Sequence, residues 1–180
     1  YEISACLGGS EMCIRDRVGV PKCTAEELEY AAALKATYPP ERNVPGIGAK
    51  FDAGIAKQVK ALSENMTKPV YDFLMPQYSG EGFRPGSTDV GDVSWQTPTA
   101  QIEVAAWPAG VPGHSWQVVA CGKSSMAHKA MLCAGKVIAS AAIELLEQPE
   151  LLEKAKSEFK ERSASGYVCP IEPDAVPIAL

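Results

Sequence analysis

The longest helix-forming stretch of the chain, residues 125–147, places the strongest limit on the fold. Apolar residues recur along it at helical spacing, and one face is rich in small residues. That face consists of Ala127, Met131, Ala134, Ile138, Ala141 and Leu145. Because small side chains let a helix approach its neighbour closely, this face predicts packing against a sheet or another helix.

Two helices are predicted before this one and one after it. Thr24 and Glu27 have the spacing of a capping box at the start of the first helix, and Pro39 ends it. Residues 51–62 carry apolar side chains at helical spacing, which predicts an amphipathic second helix. Pro149 is well placed to open the last helix, and the proline-containing tail beyond it predicts an extended surface arm.

Two strands are predicted between these helices. They are TAQIEVAAWP, residues 99–108, and HSWQVVACG, residues 114–122, and a polar loop at residues 86–92 precedes them. The order helix, helix, loop, strand, strand, helix, helix predicts the α/β class. Two or three strands need partners to bury both faces, so the pattern predicts half of an α/β layered domain.

Composition narrows the possible partners. The 180 residues are enough for one domain with a core, and the net charge of -5 argues against nucleic acid or an anionic membrane as the main partner. No apolar run reaches the length of a membrane helix, and no secretory signal is visible. None of the six cysteines form a CxxC pair, which favours free thiols. A cytoplasmic location is expected.

Residues 1–17 differ in character from the rest of the chain. The stretch CLGGSEMCIRDR resembles translated read-through of a sequencing adapter, and the chain begins at Tyr1 without an initiator Met. We therefore expect residues 1–17 to be a non-native segment that makes few contacts, and residues 18–180 to be the protein proper.

Few residues of the chain are candidates for chemistry. Asp89 and Asp92 lie in the polar loop, His114 lies in a Pro-Gly turn between the predicted strands, and His128 lies in the first turn of the long helix. Such aspartates often cap helices or form turns, and such histidines are often structural. The functional alternatives are metal ligation, proton transfer or substrate contact. Phosphate-loop, dinucleotide and zinc-finger patterns are absent, as is the GxSxG pattern of serine hydrolases.

Three blocks of sequence carry a resemblance to a known family. GSTDVGDVSWQTPTAQ, PGHSWQVVACGKSSMAHKAM and IELLEQPELLEKAKSEF occur in that order. With their spacing they resemble the C-terminal part of members of the aminoacylase and carboxypeptidase family of two-metal amidohydrolases. The likeness runs from about residue 18 to residue 180. It implies the C-terminal portion of an α/β/α zinc-peptidase-like catalytic domain, without the lid and dimerisation domain.

The resemblance also implies a function. The parent protein would use two divalent ions, zinc or manganese, to cleave an amide bond of aminobenzoyl-glutamate or a related N-acyl or aminoacyl amino acid. It would act as a homodimer, or as a heterodimer with a related subunit. His114 matches a metal ligand, and Ser87, Thr88 and Asp89 match a loop near the substrate, which His128 is also expected to contact. His114 is then expected to face a cleft with Asp89 nearby.

The sequence departs from the family pattern in one important respect. The histidine-rich ligand segment and the adjacent glutamate pair beside a strand are absent, and Glu26-Glu27 lies at a helix start instead. No catalytic residue is therefore assigned to this chain, and by itself it is expected to be inactive. The alternative is a non-catalytic α/β binding or scaffold domain that keeps the fold without the metal site.

Overall fold

The helices account for most of the structure, a computed structural model that describes residues 14–38, 52–76, 88–169 and 171–176. They are α1 (Ala25–Ala36), α2 (Ala53–Glu64), α3 (Val90–Ser94), α4 (Trp116–Gly122), α5 (Ser125–Glu147) and α6 (Pro149–Arg162). Residues 14–18 are also helical. None of the helices in the described part of the chain is both long and apolar enough to cross a membrane.

Side-chain caps determine where several of these helices begin. The predicted capping box of α1 is confirmed, because Thr24 Oγ1 accepts from the Glu27 N–H at 3.3 Å and Glu27 Oε2 accepts from the Thr24 N–H at 2.7 Å. Helix α2 is capped by Asp52 and α5 by Ser124. Pro149 opens α6, as predicted.

The prediction of an α/β fold is wrong, because the described residues form no strand. Residues 99–106 have no regular secondary structure, and no second segment in the described ranges pairs with them in a ladder. The second predicted strand is largely helix α4. Ser115 caps it by accepting from the Val118 N–H at 3.4 Å. Gln117 and Cys121, four residues apart, are its buried positions, so the burial follows the period of a helix and not that of a strand.

The core of the described region joins α1, α4 and the start of α5. Ala31 and Leu34 of α1 pack with Val70, Cys121 and Met126. Outside this cluster, the Ala109 N–H donates to the Pro69 carbonyl at 2.8 Å, and the Tyr30 hydroxyl donates to the Ala120 carbonyl at 3.1 Å. These contacts fix both ends of the segment that carries His114.

Helix α5 is apolar on two sides, and the predicted face is not the buried one. The buried positions are Met126, Ala130, Cys133 and Val137. Met131 and Ile138, which belong to the predicted face, are instead exposed. They form an apolar exposed face of α5 together with Leu132, Ile143 and Leu146. Strand edges do not occur in the described residues, because these residues form no strand.

The described end of the segment 1–17 belongs to the packed structure. Ile14 is fully buried, and Arg17 lies 3.8 Å from the Glu144 carboxylate of α5. Just beyond it, the Cys133 thiol donates to the Gly19 carbonyl at 3.6 Å. The expectation of few contacts is therefore wrong for residues 14–17, and residues 1–13 lie outside the described residues. The non-native origin of residues 1–17 and the boundary at residue 18 remain predictions.

The described cysteines are free thiols, as predicted. Cys121 and Cys133 are buried, Cys23 is half-buried and Cys169 is exposed. Burial raises the pKa of the Cys121 thiol, which donates to the Ala106 carbonyl at 3.2 Å. A buried thiol with a raised pKa is a poor nucleophile, so Cys121 serves packing.

Candidate functional site

The predicted substrate loop leads into the short helix α3. Thr88 Oγ1 accepts from the Val90 N–H at 3.3 Å, and Asp89 occupies the position before the first helical residue. The Asp89 side chain is exposed and makes no capping hydrogen bond. The Asp89 side chain therefore does not cap α3, which was the structural alternative for this residue. Ser87 lies outside the described residues.

His114 stands in a turn with an unusual backbone conformation. Its φ of 57° lies in the left-handed region, where non-glycine residues are uncommon. The Ser115 hydroxyl donates to the Pro112 carbonyl at 2.9 Å and closes the turn around it. The His114 side chain is exposed, so the expectation that it is not buried in apolar packing is confirmed. Its proximity to Asp89 in a cleft remains a prediction.

One groove of about 460 Å³ is found elsewhere in the described structure. It lies between α2 and the segment that follows it, and it is lined by Gln58, Ala61, Leu62, Asn65, Met66, Asp72 and Phe73. None of the predicted site residues lines it. Its one carboxylate, that of Asp72, lies 2.6 Å from the Lys68 ammonium group.

His128 is exposed to solvent, whereas its neighbour Lys129 contacts other parts of the chain. His128 is exposed in the first turn of α5, three and four residues before the exposed Met131 and Leu132. Lys129 instead donates to Glu27 Oε2 at 2.7 Å and to the Lys22 carbonyl at 3.2 Å. The lysine contacts therefore set the rotation of the first turn of α5, and this leaves His128 on the outside.

The predicted metal site requires several ligating side chains close together. Within the described ranges, no group of three His, Cys, Asp or Glu side chains is arranged to hold an ion. A catalytic zinc normally takes three protein ligands and keeps one open position. The described residues therefore do not fit a two-metal centre by themselves, and His114 is compatible with at most one ligand of such a centre.

A polar cluster surrounds Glu27, and no motif of the sequence predicted it. Glu27 is only 7% exposed, and besides the Lys129 contact it accepts from the Ser125 hydroxyl at 2.6 Å. The hydrogen bonds from Lys129, from Ser125 and from the Thr24 N–H lower the pKa of the Glu27 carboxyl to about 2. The capping box marked Glu27 as a helix-start residue. Nothing in the local sequence pattern indicated that Glu27 would bond to Ser125 and Lys129, about a hundred residues further along the chain.

A second missed cluster joins the C-terminal arm to α3. The Tyr167 hydroxyl donates to the Asp92 carboxylate, and the Tyr167 ring stacks on Trp95 with ring centroids 5.8 Å apart. The hydrogen bond to Asp92, and then burial, raises the pKa of Tyr167. Asp92 was a candidate site residue, and the structure gives it a structural partner instead.

Comparison with known proteins gives one similar protein. No protein-family model matches the chain, and no solved structure matches it. The chain is 32% identical over 166 residues to one of the subunits of p-aminobenzoyl-glutamate hydrolase from Escherichia coli (strain K12). The resemblance to this hydrolase is confirmed. The match covers 90% of this chain and 34% of the Escherichia coli protein, so the chain spans about a third of that relative's length.

Proposed function

We propose that this chain is part of a metal-dependent amidohydrolase that cleaves the amide bond of p-aminobenzoyl-glutamate or of a related N-acyl or aminoacyl amino acid. The observation that carries the proposal is the similarity to a hydrolase subunit along 90% of the chain. Since that relative is named as a subunit, we also propose that the active form is a dimer of like or related subunits.

Within this proposal, Ser87, Thr88, Asp89 and His128 contact the substrate. The Thr88 hydroxyl and the Asp89 carboxylate are short polar groups in a loop next to α3, and Asp89 is exposed without a capping bond. A carboxylate accepts hydrogen bonds from an amine or amide N–H, and an imidazole donates to a carboxylate. The substrate offers both kinds of group, so these residue types suit it.

His114 is proposed as a metal ligand. Its exposed imidazole and its left-handed backbone support this role, because residues in sparsely populated conformations cluster at functional sites. When bound, zinc or manganese would polarise the amide carbonyl and lower the pKa of a bound water. The described residues offer no complete site for such ions, so no proton-transfer step is assigned to them. We expect the chain alone not to hydrolyse the substrate.

The proposal can be tested with the 180-residue chain labelled for NMR. Addition of p-aminobenzoyl-glutamate should shift the amide signals of Thr88 and Asp89 and the ring signals of His128. Asp89→Asn should weaken this response, because a neutral amide accepts more weakly than a carboxylate. Asp16→Asn, a change at an exposed aspartate of the N-terminal helical segment, should leave it unchanged. Shifts confined to the groove around Phe73 would contradict the proposed site.

Metal binding is tested separately with Mn²⁺, whose unpaired electrons broaden nearby signals. Broadening of the His114 ring signals ahead of those of His128 supports the ligand assignment, and His114→Ala should remove the local effect. A chain that responds neither to Mn²⁺ nor to p-aminobenzoyl-glutamate would favour the alternative function, a non-catalytic binding or scaffold domain.

A further inference from the structure

The chain turns after α6 and then contacts a helix that is distant in the sequence. The Gly166 N–H donates to the Ser163 carbonyl at 2.9 Å, which closes the turn. Gly166 has a φ of 77°, a conformation that glycine adopts without steric cost. The turn directs residues 166–169, which we name the C-terminal strap, towards α3.

The strap meets α3 through one side chain that makes two different contacts. The Tyr167 hydroxyl donates to the Asp92 carboxylate in the first turn of α3. The ring of Tyr167 stacks on Trp95, the residue that ends the same helix, with an interplanar angle of 30°. The hydrogen bond and the stacking contact therefore hold the middle and the C-terminal end of α3.

Helix α3 depends on such external support. It has five residues and no buried residue, whereas isolated helices are marginal even at about 12–15 residues. Its own stabilisation comes from a few local hydrogen bonds, among them Val93 N–H to the Asp89 carbonyl at 3.1 Å. Asp89 precedes the helix directly, so any displacement of α3 moves Thr88 and Asp89.

We propose that the C-terminal strap holds α3 in its folded position through Tyr167 and thereby fixes the segment that carries Thr88 and Asp89. The strap orders this segment. It does not itself include the residues that are proposed to contact the substrate. The importance of the strap for substrate binding rests on the proposed function, whereas the ordering itself does not.

The experiment is amide hydrogen exchange by NMR on the full chain without substrate. In Tyr167→Phe the ring remains and only the hydroxyl is lost, so the fold should persist. The amides of Val93, Trp95 and Gln96 should then exchange about three- to tenfold faster, as loss of one hydrogen bond predicts. Tyr30→Phe is the matched control, because it removes a phenol hydrogen bond to Ala120 elsewhere and should leave these three amides unchanged.

A double-variant comparison tests whether the effect passes through Asp92. Asp92→Ala combined with Tyr167→Phe should exchange no faster than Asp92→Ala alone, since both remove the same interaction. Unchanged exchange in Tyr167→Phe would overturn the strap, and so would an acceleration that is equal throughout α5. Because no substrate is present, such a failure would leave the proposed function standing, and failure of substrate binding would leave the strap standing.

Discussion

Lys129 and Glu27 form a 2.7 Å ion pair between the N-terminal parts of α5 and α1, with Glu27 almost fully buried. The Glu27 carboxylate also caps α1 by accepting from the Thr24 N–H. Its second oxygen accepts from the Ser125 hydroxyl of α5. One carboxylate therefore joins the start of each helix and sets their relative rotation. A buried carboxylate is tolerated only when hydrogen bonds replace the lost water, and here three donors do so.

This arrangement predicts a specific loss of stability in acid. The pKa of Glu27 is about 2 in the folded chain, against 4.5 as its ordinary value, so the folded state favours the carboxylate. Its contribution is present above pH 4.5 and is lost as the pH falls from 4.5 towards 2. Glu27→Gln should lower the urea midpoint at pH 7, and the gap to the wild type should narrow below pH 4.5.

The neighbouring glutamate provides the control for this prediction. Glu26→Gln changes an exposed residue of the same helix turn and should shift the midpoint much less at pH 7. A gap between Glu27→Gln and the wild type that stays constant from pH 7 to pH 3 would show that the carboxylate charge is not what stabilises the pair.

Local patterns in the sequence predicted where helices begin better than they predicted which residues contact each other in the fold. The capping box at Thr24 and the opening of α6 at Pro149 depend on neighbouring residues only, and both were correct. The apolar run in WQVVACG fits a strand or a helix equally well, and its outcome depends on Ser115 as a cap. Helix α5 is apolar on both sides, so its sequence does not determine which side is buried.

The sequence predicted one property of the candidate site. Polar residues in loops are visible in a sequence, and the His114 side chain is exposed as expected. The contact between Asp92 and Tyr167 spans 75 residues, and it arises from tertiary packing that no local pattern encodes.

The cap of α4 can be tested directly. Ser115→Ala removes the acceptor for the Val118 N–H and should destabilise the chain by about 1 kcal/mol, measured by urea unfolding. Ser115→Asp keeps an acceptor at the cap and should recover most of this loss. Equal losses in the two variants would mean that the hydroxyl bond to Pro112, and not the cap, is what matters.

Ile14 tests whether the end of the segment 1–17 belongs to the fold. Its side chain is fully buried, so Ile14→Ala should cost about 2–4 kcal/mol of unfolding free energy through lost burial and a cavity. Asp16→Ala, an exposed change in the same helical turn, should cost less than about 0.5 kcal/mol. If both variants unfold at the wild-type urea concentration, the segment is peripheral, as its resemblance to adapter sequence suggested.

The backbone at His114 predicts a gain in stability when the imidazole is removed. At a φ of 57° a side chain with a Cβ is strained by about 1–2 kcal/mol, and glycine is not. Glycine loses more entropy on folding, which offsets about 0.5–1 kcal/mol of that relief. His114→Gly should therefore stabilise the chain by about 0.5–1 kcal/mol in urea unfolding, while abolishing any response to Mn²⁺ at this turn.

Two variants separate backbone strain from the loss of the imidazole. His114→Asn also loses the imidazole but tolerates the left-handed region, so it should retain wild-type stability or slightly more. Lys123→Gly, at an exposed residue with a φ of -90°, relieves no strain and should lower stability by up to about 1 kcal/mol. If His114→Gly proves less stable than the wild type, the imidazole makes packing contacts that outweigh the strain, and its role is structural. If it proves more stable, the chain carries a histidine at the expense of its own stability, as expected of a residue retained for binding.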